Sequence, residues 1–198
     1  EYFKNAEHLK CIFLSNIMDE KGIWESISAA KKCIDNKVPV SLDIVGQVLG
    51  DEKKVYAYLS TLSDTTEKYS QIRFFGALYG EEKNRQLCQA DIFILPTYYP
   101  TEALPISALE AMAAGLIILI TNHNYLGTVF SEKSGQMLTP ESSDSIYEAL
   151  TEIIRNKQHY SEIMIKNSIR AAEDFSLKRY EVGFHFIISN VALSRVSQ

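Results

Sequence analysis

The sequence lacks the cysteine patterns of disulfide-rich and zinc-binding proteins. Its three cysteines, Cys11, Cys33 and Cys88, lie far apart, and no CxxC pair or cysteine–histidine cluster with the spacing of metal ligands occurs. Free cysteine is among the residue types most often found inside proteins. We therefore expect three buried thiols in a reducing compartment.

Long apolar runs and basic runs are also missing. No apolar segment reaches the roughly 18 residues that a membrane span needs, and the opening residues do not have the pattern of a signal peptide. There is no run of five basic residues, and the net charge is −5. This balance disfavours nucleic acids and anionic membrane surfaces as partners, so any bound anion is expected at a local site.

The sequence further lacks the fingerprints of several nucleotide-binding and hydrolytic families. The segment GQVLG at 46–50 does not fit GxGxxG and does not follow the first predicted strand. Neither a GxxxxGK[ST] loop nor a GxSxG elbow is present. These absences argue against a dinucleotide-dependent dehydrogenase, a P-loop NTPase and an α/β-hydrolase.

What is present is the composition of an ordinary globular protein. The 198 residues are 46% hydrophobic and 23% charged. This length suits one domain with a sizeable core, and we expect residues 1–198 to form a single domain.

Apolar runs alternate with amphipathic helical patterns along most of the chain. Strands are predicted at 10–15, 40–46, 72–76, 91–96 and 116–121, with a shorter one at 136–139, and a helical pattern lies between each successive pair of the first five. Continuous apolar strands suit a parallel sheet that is covered on both faces. The predicted fold class is α/β, a Rossmann-like three-layer parallel sheet with helices on both faces, followed by closing helices at about 142–196.

Ligands of such sheets bind beyond the carboxyl ends of the strands. The loops at 15–22, 46–50, 76–80, 96–105 and 121–130 are therefore expected to converge there. In the first of them, Lys21 either reaches a bound anion or simply solvates the start of the next helix.

Two glutamates, Glu102 and Glu110, flank the start of an almost wholly apolar helix that begins near Pro105 and ends at Gly115. A buried carboxylate needs a partner. From Pro105 to Glu110 the helix rises roughly 7.5 Å, so a ligand along it would meet a carboxylate, the helix dipole and a second carboxylate. A nucleotide-sugar has sugar hydroxyls, a diphosphate and a ribose diol in that order. Alternatively, Glu110 pairs with a lysine or a backbone donor of the fold.

The stretch YYPTEALPISALEAMAAGLIILIT resembles the E-x7-E region of glycosyltransferase family 4, the glycosyl transferases group 1, which have the GT-B fold. FLSNIMDEKGIWESISAA resembles the first strand of that family's donor domain with its G-R-L-x-x-x-K-G loop. LDIVGQVLGDEKKVYAYL, IRFFGALYGEEKNRQLCQADIFILPTYY and SEKSGQMLTPESSDSIYEALTEII follow in the expected order. The resemblance covers about residues 10–175.

This resemblance implies retaining transfer of a hexose from a UDP-, GDP- or ADP-linked donor to a glycan or glycoconjugate, without a metal ion or other cofactor. Glu102 would be the catalytic residue that faces the sugar, Glu110 would hold the ribose, and Lys21 would neutralise the diphosphate. Residues 75–79 would border the base. The complete set of donor-binding residues implied is Asn16, Lys21, Phe75, Gly76, Tyr79, Ala103, Leu104, Ile106 and Glu110.

The chain departs from the family pattern at several positions. Asn16 stands where the family has an arginine, Ser15 and Ala103 stand where it has glycines, and NHNYLGTVF at 122–130 replaces a glycine pair followed by Pro-Glu. The loss of one cation shifts more of the diphosphate charge onto Lys21 and the helix end. An inactive nucleotide-binding or interaction domain of the same fold, or a nucleotide-binding module that ignores the sugar, therefore remains an alternative.

GT-B enzymes have two Rossmann-like halves, and only the pattern of the C-terminal, donor-binding half is present. We expect this chain to be that half of a longer enzyme of surface polysaccharide or glycoconjugate assembly and to be inactive alone. The full-length protein would be cytoplasmic or peripheral at the inner face of the membrane. The last helix is expected either to offer an apolar surface to the missing half or to pack on its own domain, through Phe184, Phe186, Ile187, Ile188 and Val191.

Overall fold

Six parallel strands form one sheet in the computed structural model, which describes residues 3, 7–49, 52–64, 67–182 and 185. The strand order is β3-β2-β1-β4-β5-β6, the order of a doubly wound Rossmann-like fold. All six predicted strands are confirmed, with the bounds β1 (Leu9–Leu14), β2 (Val40–Val45), β3 (Ile72–Phe74), β4 (Ile92–Leu95), β5 (Ile117–Thr121) and β6 (Gly135–Leu138).

Helices connect the strands. They are α1 (Ile23–Asp35), α2 (Glu52–Asp64), α3 (Gly80–Gln89), α4 (Ile106–Ala113), α5 (Leu126–Val129), α6 (Ser143–Arg155) and α7 (Lys157–Asp174), with 3-10 turns at Asp19–Lys21 and Glu67–Tyr69. The patterns predicted all of the helices except α5, a single turn inside a loop. Residues 177–182 are helical as well, whereas Phe184, Phe186, Ile187, Ile188 and Val191 lie outside the described residues.

The central strands are buried along their whole length. Every residue of β2, β4 and β5 is buried, although successive side chains of a strand point to opposite faces of the sheet. Both faces are therefore covered, as the continuous apolar runs predicted. Phe13 and Phe93 are among the largest fully buried side chains, and each contributes about 2 kcal/mol of burial free energy.

A buried asparagine links α7 to the sheet. The Asn167 amide donates hydrogen bonds to the carbonyl oxygens of Leu116, at 2.7 Å, and of Ser134, at 2.8 Å. These carbonyls precede β5 and β6. The helix thus satisfies backbone groups at the points where two strands begin.

The prediction of three buried cysteines is correct for two. Cys11 and Cys33 are buried, whereas Cys88 lies on the exposed side of α3. A polar helix such as α3 buries few of its side chains, and of this helix only Leu87 is fully buried. No helix within the described residues is long and apolar enough to cross a membrane.

Candidate active site

The strand order reverses between β1 and β4, and the loops that follow these two strands are joined directly. The Tyr98 amide donates to the Glu20 carbonyl at 2.8 Å. A crevice outside the carboxyl ends of the strands at such a switch point is where α/β proteins bind ligands. The loops after β1 and β2 also pair, because the Ile17 amide donates to the Gln47 carbonyl at 2.8 Å.

Gly22 allows the close approach of the first and fourth loops. Its φ of +77° is in the left-handed region, and a Cβ at this position would lie 2.5 Å from the Pro96 Cγ and 2.6 Å from the Pro96 carbonyl oxygen. A side chain would therefore push the β1 loop away from the end of β4. Because Gly22 has no side chain, the preceding residue, Lys21, lies next to the loop that carries Glu102.

Lys21 and Glu102 form an ion pair with little access to solvent. The Lys21 Nζ lies 2.6 Å from the Glu102 Oε2, and the side chains are 11% and 8% exposed. The Thr97 hydroxyl donates to the same carboxylate oxygen at 3.0 Å, and the Lys21 ammonium lies 4.8 Å from the centre of the Tyr99 ring. Lys21 thus does more than solvate the start of a helix.

The loop after β5 supports the backbone around Glu102. The Asn124 amide donates to the Glu102 carbonyl at 2.9 Å and to the Pro100 carbonyl at 3.2 Å, and the His123 Nε2 lies 2.9 Å from the Tyr99 carbonyl oxygen. This is the segment that departs from the family pattern. In this chain its side chains hold the β4–α4 loop, a role that the sequence did not predict.

A cavity of about 280 Å³ opens beside α4, on the side of the loops that follow β1, β2 and β3. We call it the donor cavity because four of the residues predicted to bind a donor line it. It contains the predicted residues Asn16, Tyr79, Ile106 and Glu110. Its full lining is Leu14, Ser15, Asn16, Val45, Gly46, Gln47, Ala77, Leu78, Tyr79, Lys83, Ile106, Ser107 and Glu110.

The other predicted residues lie around this cavity and do not line it. Lys21 and Glu102 form their own pair, and Ala103 and Leu104 are exposed between them and α4. Phe75 is exposed with the Arg73 guanidinium 5.6 Å from its ring centre, and the Gly76 carbonyl accepts from the Gly46 amide at 2.9 Å. Of the loop at 75–79, only the last three residues reach the donor cavity.

Glu110 has a protein partner, Lys83, which the sequence did not single out. The Lys83 Nζ lies 2.6 Å from the Glu110 Oε1, and the two side chains are 24% and 33% exposed. The alternative that Glu110 pairs with a lysine of the fold is therefore correct. One signal for Lys83 was available, because it lies in the first turn of α3, directly after one of the predicted binding loops.

The N-terminus of α4 faces the same region. Pro105 occupies the N-cap, and its carbonyl accepts from the Ala108 amide at 3.0 Å. The amides before Ala108 lack an intrahelical acceptor, and proline offers no side-chain oxygen to bind them. Ile106 is exposed. Free amides and the positive end of the helix dipole form a suitable site for an anion.

Tyr98, in the loop after β4, carries a neutral hydroxyl. Partial burial raises the pKa of the Tyr98 hydroxyl, and the negative charges of Glu25, Glu141, Asp19 and Glu20 raise it further. The hydroxyl therefore stays protonated at neutral pH. Within the described part of the chain, no group of three or more histidine, cysteine, aspartate or glutamate side chains is arranged to hold a metal ion.

Two relatives of known sequence are named as biosynthesis glycosyltransferases. The chain is 25% identical over 174 residues to the putative colanic acid biosynthesis glycosyltransferase WcaL of Salmonella typhimurium, covering 85% of this chain and 42% of that protein. It is 26% identical over 137 residues to the amylovoran biosynthesis glycosyltransferase AmsK of Erwinia amylovora, covering 67% of this chain and 32% of that protein. The chain thus spans less than half the length of these relatives.

Solved structures share the fold. Anabaena Alr3699/HepE in complex with UDP and glucose superposes with a TM-score of 0.79 at 17% identity, over 93% of this chain and 49% of that one. The C-terminal domain of the glycosyl transferase group 1 family protein LpcC from Francisella tularensis superposes with a TM-score of 0.72 at 18% identity. The match covers 85% of this chain and 87% of that one.

The family model for glycosyl transferases group 1 matches residues 1–171. These residues include every strand of the sheet and the Lys21–Glu102 and Lys83–Glu110 ion pairs. This chain belongs to the glycosyl transferases group 1 family.

Proposed function

We propose that this chain is the nucleotide-sugar-binding half of a retaining glycosyltransferase that transfers a hexose to a glycan or glycoconjugate. The donor is a UDP-, GDP- or ADP-linked sugar, and no metal ion takes part. The nucleoside occupies the donor cavity with its ribose at Glu110. The diphosphate lies against the N-terminus of α4 and Lys21, and the sugar faces Glu102.

The observation that carries this proposal is the contact between Lys21 and Glu102 at the switch point, 2.6 Å from nitrogen to oxygen. In a nucleotide-sugar, the bond that breaks joins the diphosphate to the anomeric carbon. A cation for the leaving phosphate and an anion for the positively charged sugar are therefore needed next to each other. Such fixed charges act strongly in a site with little water.

Donor binding exchanges these contacts. The diphosphate attracts the Lys21 ammonium away from Glu102, and the carboxylate becomes available to the sugar. The amides at the start of α4 share the phosphate charge, which matters because Asn16 offers no positive charge. Bond breaking then leaves negative charge on the diphosphate beside Lys21 and positive charge on the sugar beside Glu102.

The acceptor and the remaining catalytic groups belong to the other half of a longer enzyme. In support, the chain covers about half of the HepE structure, which holds UDP and glucose. The relatives named above act in colanic acid and amylovoran biosynthesis, which supports a bacterial surface polysaccharide as the product. We place the full-length protein in the cytoplasm or at the inner face of the membrane.

Calorimetric titration of the 198-residue chain with UDP, GDP and ADP tests the nucleotide site. Half of a site should bind weakly, with a dissociation constant from about tens of micromolar to millimolar, or about −4 to −6 kcal/mol. Glu110→Ala should abolish binding, and Glu82→Ala, on the exposed side of α3, is the matched control. The proposal fails if none of the three nucleotides binds at millimolar concentration, and an interaction domain of this fold would then be favoured.

A further inference from the structure

The Lys83–Glu110 pair leaves hydrogen-bonding capacity on both partners. Among the described residues, the ammonium contacts one carboxylate oxygen, Oε1, and makes no second side-chain hydrogen bond. A lysine ammonium carries three N–H donors and a carboxylate carries two acceptor oxygens. The pair therefore still offers donors and an acceptor, and both side chains line the donor cavity and are partly exposed to it.

A vicinal diol matches this combination. Each hydroxyl of a ribose is both a donor and an acceptor. A carboxylate alone satisfies only the donors of the diol, whereas a carboxylate beside an ammonium also satisfies a hydroxyl oxygen. The 2.6 Å contact brings the two charged groups close enough to serve two neighbouring hydroxyls at once.

Lys83 also fixes the carboxylate before a ligand arrives. Glu110 projects from α4 and Lys83 from α3, so the ion pair joins two elements across one wall of the cavity. An acceptor that is already oriented loses less conformational freedom on binding. Since the Glu110 Oε2 has no partner among the described side chains, a hydroxyl can bind it without displacing Lys83.

We propose that Lys83, together with Glu110, is a specificity-determining residue that recognises the ribose diol of the nucleotide. This inference rests on the proposed function, since it assumes that a nucleoside occupies the donor cavity. It assigns the cavity to ribonucleotides in preference to deoxyribonucleotides. A site that hydrogen-bonds a hydroxyl favours the ligand that carries it, because the analogue without it leaves donors and an acceptor of the pair without that partner.

The test is calorimetric titration of UDP, 2′-deoxy-UDP and 3′-deoxy-UDP into the wild type, Lys83→Met, Lys83→Arg and Glu82→Gln. If the wild type prefers GDP or ADP, the same deoxy series of that nucleotide replaces the UDP series. We expect the wild type to prefer UDP over at least one deoxy analogue by about tenfold. In Lys83→Met this preference should fall below about threefold, whereas Lys83→Arg and Glu82→Gln should retain it.

The outcomes separate this inference from the proposed function. If the wild type binds a nucleotide and Lys83→Met discriminates between UDP and its deoxy analogues as the wild type does, the role of Lys83 is overturned while the nucleotide site stands. An equal loss of affinity for all three ligands also overturns it and assigns Lys83 to charge neutralisation. Failure of the wild type to bind UDP, GDP or ADP overturns both. Circular dichroism of each variant identifies a folding defect. If Lys83→Met has such a defect, the wild type is compared with Lys83→Arg, which keeps the positive charge.

Discussion

The Lys21–Glu102 pair shows how a single glycine and two charges define the centre of this site. Gly22 lets the β1 loop contact Pro96, and this contact brings an ammonium within 2.6 Å of a carboxylate that is 8% exposed. A buried charge that loses its partner is costly, whereas the removal of both charges is often tolerated. The pair therefore stabilises the free chain only as a unit.

Removal of one partner should destabilise the chain more than removal of both. We expect Lys21→Met to lower the free energy of unfolding by about 2–4 kcal/mol, because among the described side chains Glu102 then keeps only the Thr97 hydroxyl. The double variant Lys21→Met with Glu102→Gln should recover at least about 1 kcal/mol of this loss. Urea unfolding measures both. Lys166→Met, which breaks the exposed pair with Glu162, is the control and should change stability by less than about 0.5 kcal/mol. Equal losses in the single and double variants would contradict the prediction.

Glu102→Gln should strengthen the binding of the nucleoside diphosphate. The substitution frees the Lys21 ammonium from an ion pair and removes a negative charge near the diphosphate, so we expect about threefold to tenfold tighter binding. Titration of UDP, or of whichever diphosphate the wild type binds, measures it, with Glu82→Gln as the control. Weaker binding by Glu102→Gln would mean that the carboxylate contacts the nucleotide itself.

At the scale of elements, one buried side-chain amide joins α7 to the sheet. Asn167 satisfies the carbonyls of Leu116 and Ser134, which lie before β5 and β6. Buried carbonyls without donors cost about 1–3 kcal/mol each. Asn167 thus supplies hydrogen-bond donors at the points where β5 and β6 begin.

Asn167→Leu should therefore be strongly destabilising although it adds apolar surface to a buried position. We expect a loss of about 1–3 kcal/mol in the free energy of unfolding, because the Leu116 carbonyl loses its side-chain donor while the Ser134 carbonyl keeps the Ile118 amide. Chemical denaturation tests this value against Asn84→Leu at an exposed position of α3. A change below about 1 kcal/mol would show that water or a backbone shift replaces both hydrogen bonds.

The environments of the helices and strands also set the reactivity of the thiols. Burial raises the pKa of Cys33 to about 12 and raises the pKa of Cys11 well above its usual value, so neither forms a thiolate near neutral pH in the folded chain. Cys88 is exposed on α3.

We expect one of the three cysteines to react rapidly with an aromatic disulfide reagent at pH 8, and all three to react in guanidinium chloride. The absorbance of the released aromatic thiolate gives the number of cysteines that have reacted. Cys88→Ser should abolish the rapid phase. Rapid labelling of that variant would show that β1 or α1 opens readily.

At the scale of the whole molecule, the proposed division of labour makes this chain dependent on another half. The chain covers 42% of the Salmonella relative and 49% of the HepE structure. Groups that bind an acceptor and exclude water would come from that half. On the proposed mechanism, the charges of Lys21 and Glu102 would act most strongly once that half excludes water from the site.

The isolated chain should consequently not break down its donor. We expect the release of diphosphate from UDP-glucose, GDP-mannose or ADP-glucose by the 198-residue chain to equal that of its Glu102→Gln variant. A coupled assay for free nucleoside diphosphate measures the rate. Release above the Glu102→Gln rate would show that the catalytic groups of this half suffice for donor cleavage.

Local patterns predicted most of the fold and the end of the sheet at which the candidate residues lie. Continuous apolar runs predicted strands that are covered on both faces, and Pro105 and Gly115 predicted the bounds of α4 to within about two residues. The parallel topology then placed the loops that carry Asn16, Lys21 and Glu102, and the start of the helix that carries Glu110, at one end of the sheet. These predictions succeeded because periodicity and helix termini depend on neighbouring residues.

The sequence by itself determined the Rossmann-like sheet, the family and the two glutamates beside α4, since each follows from residues close together in the chain. Only the tertiary structure decided the partners of these glutamates. Lys21 meets Glu102 across 81 positions, and Lys83 meets Glu110 across 27. Asn124 reaches the Glu102 carbonyl across 22. Such pairings depend on how the loops pack at the end of the sheet, and no local pattern encodes the distance between two side chains that different strands bring together.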